Sequence, residues 1–349
     1  MSKNEERVTF ARLQAEMSAT WAKNARQRGV DMEALHASRA VAYLDRWKEA
    51  ARFIGNGSRV LDIGGGNTPS IVMEFLKERQ YKYQYIDVDP AAAKSSKDLA
   101  QTIGFKSAKY DVGFNDKFDY ADSMFDAVFS SHCLEHSIDL AQTFSELWRV
   151  IVSGGNLAMA VPFGWETNDA HPYFLSVQEW ATLIMDAGFK IRVSQVGCEY
   201  PENGYDLFIC GRRLDSRPET NRLRAEDYSK RSYTFIPFND SCIDIEGGHK
   251  QGNNNVVMLG SAWGIRIRVP ESGREVLPIF ARHPWSGIVE ANWGATKQVE
   301  DLFSWFTYIQ PMRISRGNSV KDAYVHCRPI GKNSSSYASE GVFFGVMIR

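Results

Sequence analysis

The chain has 349 residues, 44% hydrophobic and 24% charged, with a mean hydropathy of −0.34. That is a globular make-up with chain enough for roughly two domains of about 150 residues, and it excludes a disordered tail or a fibrous repeat. Forty-one Lys and Arg oppose 42 Asp and Glu, so no global basic field gathers nucleic acid or anionic lipid. No apolar run approaches the roughly 20 residues of a membrane span, and MSKNEERVTF has no signal-peptide core, so a cytoplasmic location is expected. Cys133, Cys198, Cys210, Cys242 and Cys327 are odd in number and never paired as CxxC, which predicts reduced thiols.

Residues 5 to 51 read as two helices. Phe10, Leu13, Met17 and Trp21 share a face of the first; Leu35, Ala42, Leu44 and Trp47 stripe the second, with Asp31 as its cap. From Arg59 apolar runs alternate with amphipathic helices, the pattern of a parallel sheet with crossover helices. Strands are predicted at Arg59 to Ile63, Tyr83 to Asp87, Phe105 to Tyr110, Asp126 to Ser130 and Asn156 to Val161. Leu140, Phe144, Leu147 and Ile151 mark one intervening helix; another opens with the capping box Ser176-Val177-Gln178-Glu179 and ends at Gly188. Phe189 to Val196 and Asp206 to Arg212 form a closing hairpin. Leu214 to about Lys230 is nearly free of apolar residues and reads as a linker. Beyond Ser232 short strands such as Val256 to Leu259, Gly264 to Val269, Val276 to Ala281 and Val342 to Ile348 suggest a β-sandwich. In one of them Ile265, Ile267 and Val269 alternate with Arg266 and Arg268.

The most informative stretch is Val60-Leu61-Asp62-Ile63-Gly64-Gly65-Gly66-Asn67-Thr68-Pro69, a buried strand running into a glycine loop and a helix. Glycines there let the backbone pass close to a ligand at the carboxyl edge of the sheet. A dinucleotide fingerprint fails, because the third glycine's place is held by Pro69 and because Asp62 would repel a pyrophosphate. A phosphate-binding P-loop fails for want of GK[ST]. Asp62 suits a ligand with a cationic end.

These residues resemble the first motif of class I S-adenosylmethionine-dependent methyltransferases, and the likeness continues in order and spacing from residue 59 to 212. Tyr85-Ile86-Asp87-Val88-Asp89-Pro90 matches the end of the second strand, Lys109-Tyr110-Asp111-Val112 that of the third. Phe125-Asp126-Ala127-Val128-Phe129-Ser130 leads to Ser131-His132-Cys133-Leu134-Glu135-His136, the Leu-Glu-His turn of the small-molecule branch. The resemblance implies a Rossmann-like sheet of seven strands, the last antiparallel, and an enzyme using S-adenosyl-L-methionine. It assigns cofactor contacts to Asp62, Gly64, Gly65, Gly66, Asp87, Val88, Asp111, Val112 and Ser130. Asp87 would accept from both ribose hydroxyls and Asp111 would lie near the adenine amino group. Asp87→Ala is accordingly expected to weaken cofactor binding without unfolding the chain.

His132, His136 and His171 are the candidate catalytic residues, since an unperturbed imidazole suits proton transfer near neutrality. His171 is preferred as base: it lies on the loop where the family lines its substrate pocket, and Asp169 is close enough in sequence to orient it. No metal site is expected, because the histidine, cysteine and glutamate neighbours lack a ligand spacing and only a fold could bring His171 to them. Trp21 and Tyr43 of the helical cap would cover the site.

The expected division is a helical cap over 1–55, the methyltransferase domain over 56–213, a linker over 214–231 and an accessory β-sandwich-like domain over 232–349. In the last, Trp263, Trp285, Trp293, Trp305 and Tyr308 read first as core and second as a platform for sugar rings. Arg266, Arg268, Arg274, Arg282 and His283 could meet carboxylates or phosphates, or form the solvated face of strands. The expected function is methyl transfer to an oxygen, less readily a nitrogen, of a polar small-molecule or glycan acceptor. The competing reading is a glycan- or protein-binding protein on a degenerate methyltransferase scaffold. A nucleic-acid substrate ranks third, for lack of a basic balance.

Overall fold

The alternating apolar runs and helices build a sheet whose carboxyl edge holds the glycine loop. The computed structural model describes residues 5, 7–9, 11, 12, 16, 23, 26, 27, 29–168, 170–200, 204–218, 222–317 and 322–349. They form two units: 1–163, 168–172 and 177–225 make the first, and 164–167, 173–176 and 226–349 the second.

In the first unit β1 (Arg59–Ile63), β2 (Lys82–Asp87), β3 (Lys109–Val112), β4 (Phe125–Ser131), β5 (Ile151–Pro162), β6 (Phe189–Tyr200) and β7 (Gly204–Arg213) form one sheet in the order β3-β2-β1-β4-β5-β7-β6. The β1–β2, β1–β4, β2–β3 and β4–β5 pairs are parallel, and β7 runs antiparallel to both β5 and β6. This is the seven-stranded Rossmann-like sheet expected for a class I methyltransferase. The helices are α1 (Met32–Ala51), α2 (Ser70–Glu78), α3 (Pro90–Thr102), α4 (Leu140–Val150) and α5 (Val177–Asp186).

Their starts follow from the sequence. Asp31 accepts from the Glu33 and Ala34 amides at 3.0 Å, Asp89 from Ala91 at 2.8 Å with Pro90 behind it, and Asp139 from Gln142 at 2.9 Å. Each satisfies amides a helix leaves open at its first turn. α1 buries Tyr43, Arg46, Trp47 and Ala50, so its inward face is rotated from the predicted stripe, and Leu35, Ala42 and Leu44 are only half-buried. Hydropathy ranks Tyr and Arg low; here the Trp47 ring stacks on Phe129 at 3.9 Å, and the Arg46 guanidinium lies 5.3 Å from the Phe208 ring centre. The apolar face predicted for the first helix, Phe10, Leu13, Met17 and Trp21, lies outside the described residues.

Two boundaries differ from the prediction. Phe105 is no strand residue: Gly104 is left-handed (φ 72°), and the Phe105 amide returns to the Ala100 carbonyl at 2.8 Å, closing α3 in a Schellman turn that buries the ring. β3 therefore starts only at Lys109. Ile151 is no longer helical: as the extended cap of α4, its amide on the Leu147 carbonyl, it opens β5 opposite Phe125, and an irregularity through Gly154 (φ 74°) precedes the regular pairing from Asn156. The polar stretch read as a linker is anchored at several points: the Leu214 amide donates to the Gly188 carbonyl at 2.9 Å, the Arg217 guanidinium to the Ser145 carbonyl at 2.9 Å, and the buried Asp186 carboxylate accepts from the Arg222 and Leu223 amides and the Arg222 guanidinium at 2.7–2.8 Å.

The second unit holds two sheets. One has the path β10-β11-β19-β13-β16, with β8 and β17 beside it; the other is β15-β14-β18-β12-β9. The strands are β8 (Thr234–Pro237), β9 (Ile243–Glu246), β10 (His249–Gln251), β11 (Val256–Met258), β12 (Gly264–Arg268), β13 (Glu275–Arg282), β14 (Ile288–Trp293), β15 (Thr296–Asp301), β16 (Tyr308–Pro311), β17 (Ile314–Ser315), β18 (Tyr324–Gly331) and β19 (Gly341–Ile348). Val276, Phe280 and Val346 of one sheet share a core with Ile265, Ile267, Trp293 and Val325 of the other, so two faces pack as a sandwich. Arg266 and Arg268 point outward as the alternation requires, and Arg266 pairs with Asp244 at 2.7 Å.

The tryptophans divide. Trp263 and Trp293 are core, whereas Trp285 is 49% and Trp305 66% exposed. β13 is buried on both faces: Leu277 and Ile279 look away from the sandwich core and meet Trp165 and Phe174 from earlier in the chain. Cys133, Cys210, Cys242 and Cys327 are free thiols, and the Cys198 side chain lies outside what is described. Among the described residues no helix is long and apolar enough to cross a membrane.

Candidate active site

β1 delivers its last residue into Gly64 (φ 69°), Gly65 and Gly66 (φ 55°). A side chain on Gly64 would collide with the Cys133 side chain, so a residue without Cβ is required on two counts. The loop is clamped at its far end. The Gly66 amide donates to Asp87 Oδ2 at 2.9 Å, and its carbonyl accepts from the Tyr85 hydroxyl at 2.7 Å and the Ser96 hydroxyl at 3.0 Å. Asp87 also accepts from the Asp89 amide at 2.9 Å and the Tyr85 hydroxyl at 3.2 Å.

Next to the loop opens a cavity of about 190 Å³. Of the predicted residues, Gly64, Asp87, Val88, His132 and His136 line it. Gly65, Gly66, Asp62, Ser130, Asp111, Val112 and His171 are not among its lining residues. Ser130 is fully buried and donates to the Ile63 carbonyl at 3.2 Å. Asp111 is exposed, with one oxygen accepting from Gln84 and Tyr120 at 2.8 Å each, and Val112 is exposed too.

The wall past β3 is made instead by Gly113, Phe114, Asn115 and Asp116. Arg7 grips the buried Asp116 carboxylate in a two-pronged pair, Nε to Oδ1 at 3.0 Å and Nη2 to Oδ2 at 2.8 Å. Ala11 from the same N-terminal segment joins the lining. The sequence points to Asp111, near the end of β3; the acid that reaches the wall is Asp116, five residues on.

Asp62 sits behind the loop, fully buried. Oδ2 accepts from the Tyr83 hydroxyl at 2.6 Å and the Tyr43 hydroxyl at 3.0 Å, while Oδ1 has no hydrogen-bond partner. Burial pushes its pKa up to about 7, against the two tyrosine hydroxyls that favour the anion. The unpartnered oxygen fits the cationic amino-acid end of S-adenosylmethionine better than it fits any phosphate. Because the folded-state pKa lies above the unfolded value, the favourable contribution of this carboxyl is complete below about pH 4 and is lost as pH rises through about 7. In the cofactor-free protein, Asp62→Asn should therefore raise the melting point at pH 8, by about a few kcal/mol of stability at most, and the gain should vanish near pH 4. Scanning calorimetry of both proteins at the two pH values checks this; equal melting at pH 8 would show that no buried charge is being carried.

The end of β4 brings the histidines together. His132 is held in a left-handed conformation (φ 51°), which is uncommon for a non-glycine residue and clusters at functional sites. Its Nε2 lies 3.4 Å from Asp206 Oδ2 and its Nδ1 3.6 Å from Glu135 Oε1. Asp206 and Glu135 are buried, and neither carboxylate accepts a hydrogen bond. The sequence assigns neither a site role; a lone acid directly before the apolar run Leu207-Phe208-Ile209 is the available signal for Asp206.

His136 Nδ1 lies 2.8 Å from the Ala170 carbonyl, and burial holds its pKa below the ordinary imidazole value. His171 packs edge-on against His136, with ring centres 4.5 Å apart. Its proposed partner Asp169 lies outside the described residues. Burial also pushes the Cys133 thiol well up, so it stays neutral in the cavity wall.

Residues 61–159 match the family model described as "Methyltransferase domain". Over 99 residues the chain is 31% identical to ajmaline N-methyltransferase of Rauvolfia serpentina, a match covering 28% of this chain and 34% of that relative, so it spans about a third of the relative's length. A S-adenosylmethionine-dependent methyltransferase from Aquifex aeolicus is similar over 50% of this chain and 92% of its own, at 18% identity and a TM-score of 0.42. The [4+2]-cyclase SpnF is similar over 48% of this chain and 80% of its own, at 15% identity and a TM-score of 0.43. With the strand order β3-β2-β1-β4-β5-β7-β6 and the stretch that matches the methyltransferase-domain model within it, the first unit has a class I S-adenosylmethionine-methyltransferase fold, and the chain extends it with additional C-terminal β-sheets.

Proposed function

We propose that the whole protein is a cytoplasmic enzyme that transfers a methyl group from S-adenosylmethionine to an oxygen of a polar acceptor, a sugar or a glycan precursor of polysaccharide synthesis. The observation that carries the reading is that Gly64, Asp87 and Val88 line one cavity together with His132 and His136. Cofactor-holding backbone and proton-accepting side chains thus share one space at the carboxyl edge of the sheet.

The bound cofactor supplies an electrophilic methyl carbon on sulfur. Transfer of that methyl group to an acceptor oxygen would be an in-line displacement, so what the chain's residues would have to supply is mainly alignment. Gly64, Asp87 and Val88 would hold the nucleoside side, and the Asp62 carboxyl behind the loop would meet the cationic amino-acid end. The acceptor's proton would pass to His132, whose two ring nitrogens stand 3.6 Å from Glu135 Oε1 and 3.4 Å from Asp206 Oδ2.

The sugar reading is supported by the second unit. Trp285 and Tyr337, 49% and 64% exposed, lie with ring centres 5.6 Å apart, and exposed Trp305 packs on Phe303. Such faces stack on the apolar side of sugar rings. A nitrogen acceptor is the second reading, favoured by the N-methyltransferase match.

Titration of the full chain with S-adenosylmethionine and its demethylated product by calorimetry should give one site for each. Incubation with labelled cofactor and candidate sugars, followed by mass spectrometry, should then find an acceptor heavier by one methyl group. No heat with either ligand would overturn the enzyme reading in favour of a binding protein on a degenerate scaffold.

A further inference from the structure

We propose that Glu135, His136 and His171 hold a divalent metal ion of the zinc type. One ligand atom from each lies within 4.8 Å of the other two. The grouping is made by the fold. His136 directly follows Glu135 in the short turn Leu134–His136 after β4, and His171 comes 35 residues later on a separate loop. That loop is shaped by Asn168, whose side chain accepts from the Ala170 amide at 2.9 Å while its carbonyl accepts from the His171 amide at 3.2 Å. It thereby presents the Ala170 carbonyl to His136 and the His171 ring beside it.

The proton inventory argues for a cation. The Ala170 carbonyl can only accept, so the 2.8 Å contact places the proton of neutral His136 on Nδ1 and leaves a lone pair on Nε2. This is the second-shell arrangement that orients a metal-binding histidine. Nε2 lies 3.9 Å from Glu135 Oε1. Two acceptors face each other there, beyond the roughly 3.2 Å reach of a hydrogen bond, so no single proton bridges them. Glu135 is 3% exposed, and neither of its oxygens has a hydrogen-bond partner. A buried carboxylate without donors is costly unless a positive charge meets it.

An ion meets these demands. Ligand atoms about 2.1 Å from zinc in a tetrahedral shell stand about 3.4 Å apart, so the pair closes on an ion by a shift of about half an ångström. Two imidazole nitrogens and one carboxylate oxygen suit zinc rather than calcium or magnesium, which prefer all-oxygen shells. Three protein ligands leave a fourth position. Since His136 also lines the cavity, that position suits an oxygen of the acceptor, whose proton the ion would make easier to remove; this role, unlike the site itself, rests on the methyl-transfer reading.

The test uses the full chain, stripped with a chelator, dialysed and titrated with zinc chloride by calorimetry, with cobalt chloride as a visible-absorption probe of tetrahedral geometry. The expected result is one ion per chain, an affinity weakened at least about tenfold in Glu135→Gln and in His171→Ala, and unchanged binding of S-adenosylhomocysteine in both. Should Glu135→Gln fail to fold, His171→Ala, a loop residue only half-buried, carries the comparison. Zinc binding in a chain that takes no S-adenosylhomocysteine would keep the site and remove only the role given to its fourth position. Less than half an ion per chain, or wild-type zinc affinity in the folded variants, would overturn the proposal.

Discussion

His132→Ala is expected to lower methyl transfer by about 100-fold to 10,000-fold, the range a positioned general base contributes, while affinity for S-adenosylhomocysteine stays within about threefold. Among the three candidate histidines it has the best geometry. It lines the cavity, its backbone is held in a left-handed conformation, and the carboxylates of Asp206 and Glu135 stand 3.4 and 3.6 Å from its two ring nitrogens. A proton arriving on this imidazole meets negative charge on both sides, which a solvated histidine would not offer. His171, preferred on sequence grounds, is turned against His136 and is not among the residues lining the cavity. The measurement is the single-turnover rate with the acceptor that mass spectrometry identifies, beside a calorimetric titration of each variant. A rate within a few fold of wild type in His132→Ala would mean that alignment alone carries the transfer.

Asp87→Ala should weaken cofactor binding by at least about tenfold, since a hydrogen bond to a charged group is worth about 1.5–3 kcal/mol. The structure adds a second effect. Asp87 already accepts from the Gly66 and Asp89 amides and the Tyr85 hydroxyl, so the carboxylate shapes the glycine loop before any ligand arrives. Its loss leaves the Gly66 amide without its acceptor, at about 1–3 kcal/mol, and the melting point should fall as well. To the sequence expectation of weaker binding without unfolding, the structure thus adds a partial loss of stability. Asp87→Asn, which keeps one acceptor oxygen, should recover part of the stability and less of the affinity. Calorimetric affinity and melting temperature equal to wild type in the alanine variant would remove Asp87 from the site.

Most of the first unit was legible because its signals are local. A buried strand must be apolar, a crossover helix must show its stripe and its cap, and Gly64 is dictated by backbone geometry within a few residues. The misplaced ends share one cause. Phe105 and Ile151 are apolar residues at helix ends, where a chain that has stopped being helical still buries its side chains, and hydropathy cannot separate a Schellman turn from a strand start. The wall residue Asp116 was missed because its burial depends on Arg7, more than a hundred positions away.

The sequence by itself determined the order of elements, the glycine cradle, the acids at the ends of β1 and β2, the family likeness and the alternation that sends Arg266 and Arg268 outward. Each of these rests on covalent neighbours and on periods of two or 3.6 residues. Only the tertiary structure decided which acids and histidines meet. It put Asp206 beside His132, brought His171 and the Ala170 carbonyl to His136, and left Glu135 buried without a donor. It also covered the outer face of β13 with Trp165 and Phe174 while leaving Trp285 and Trp305 exposed. Charge and apolar surface act through distance in space, and residues 35 or more than a hundred positions apart acquire that distance only when the chain has closed on itself.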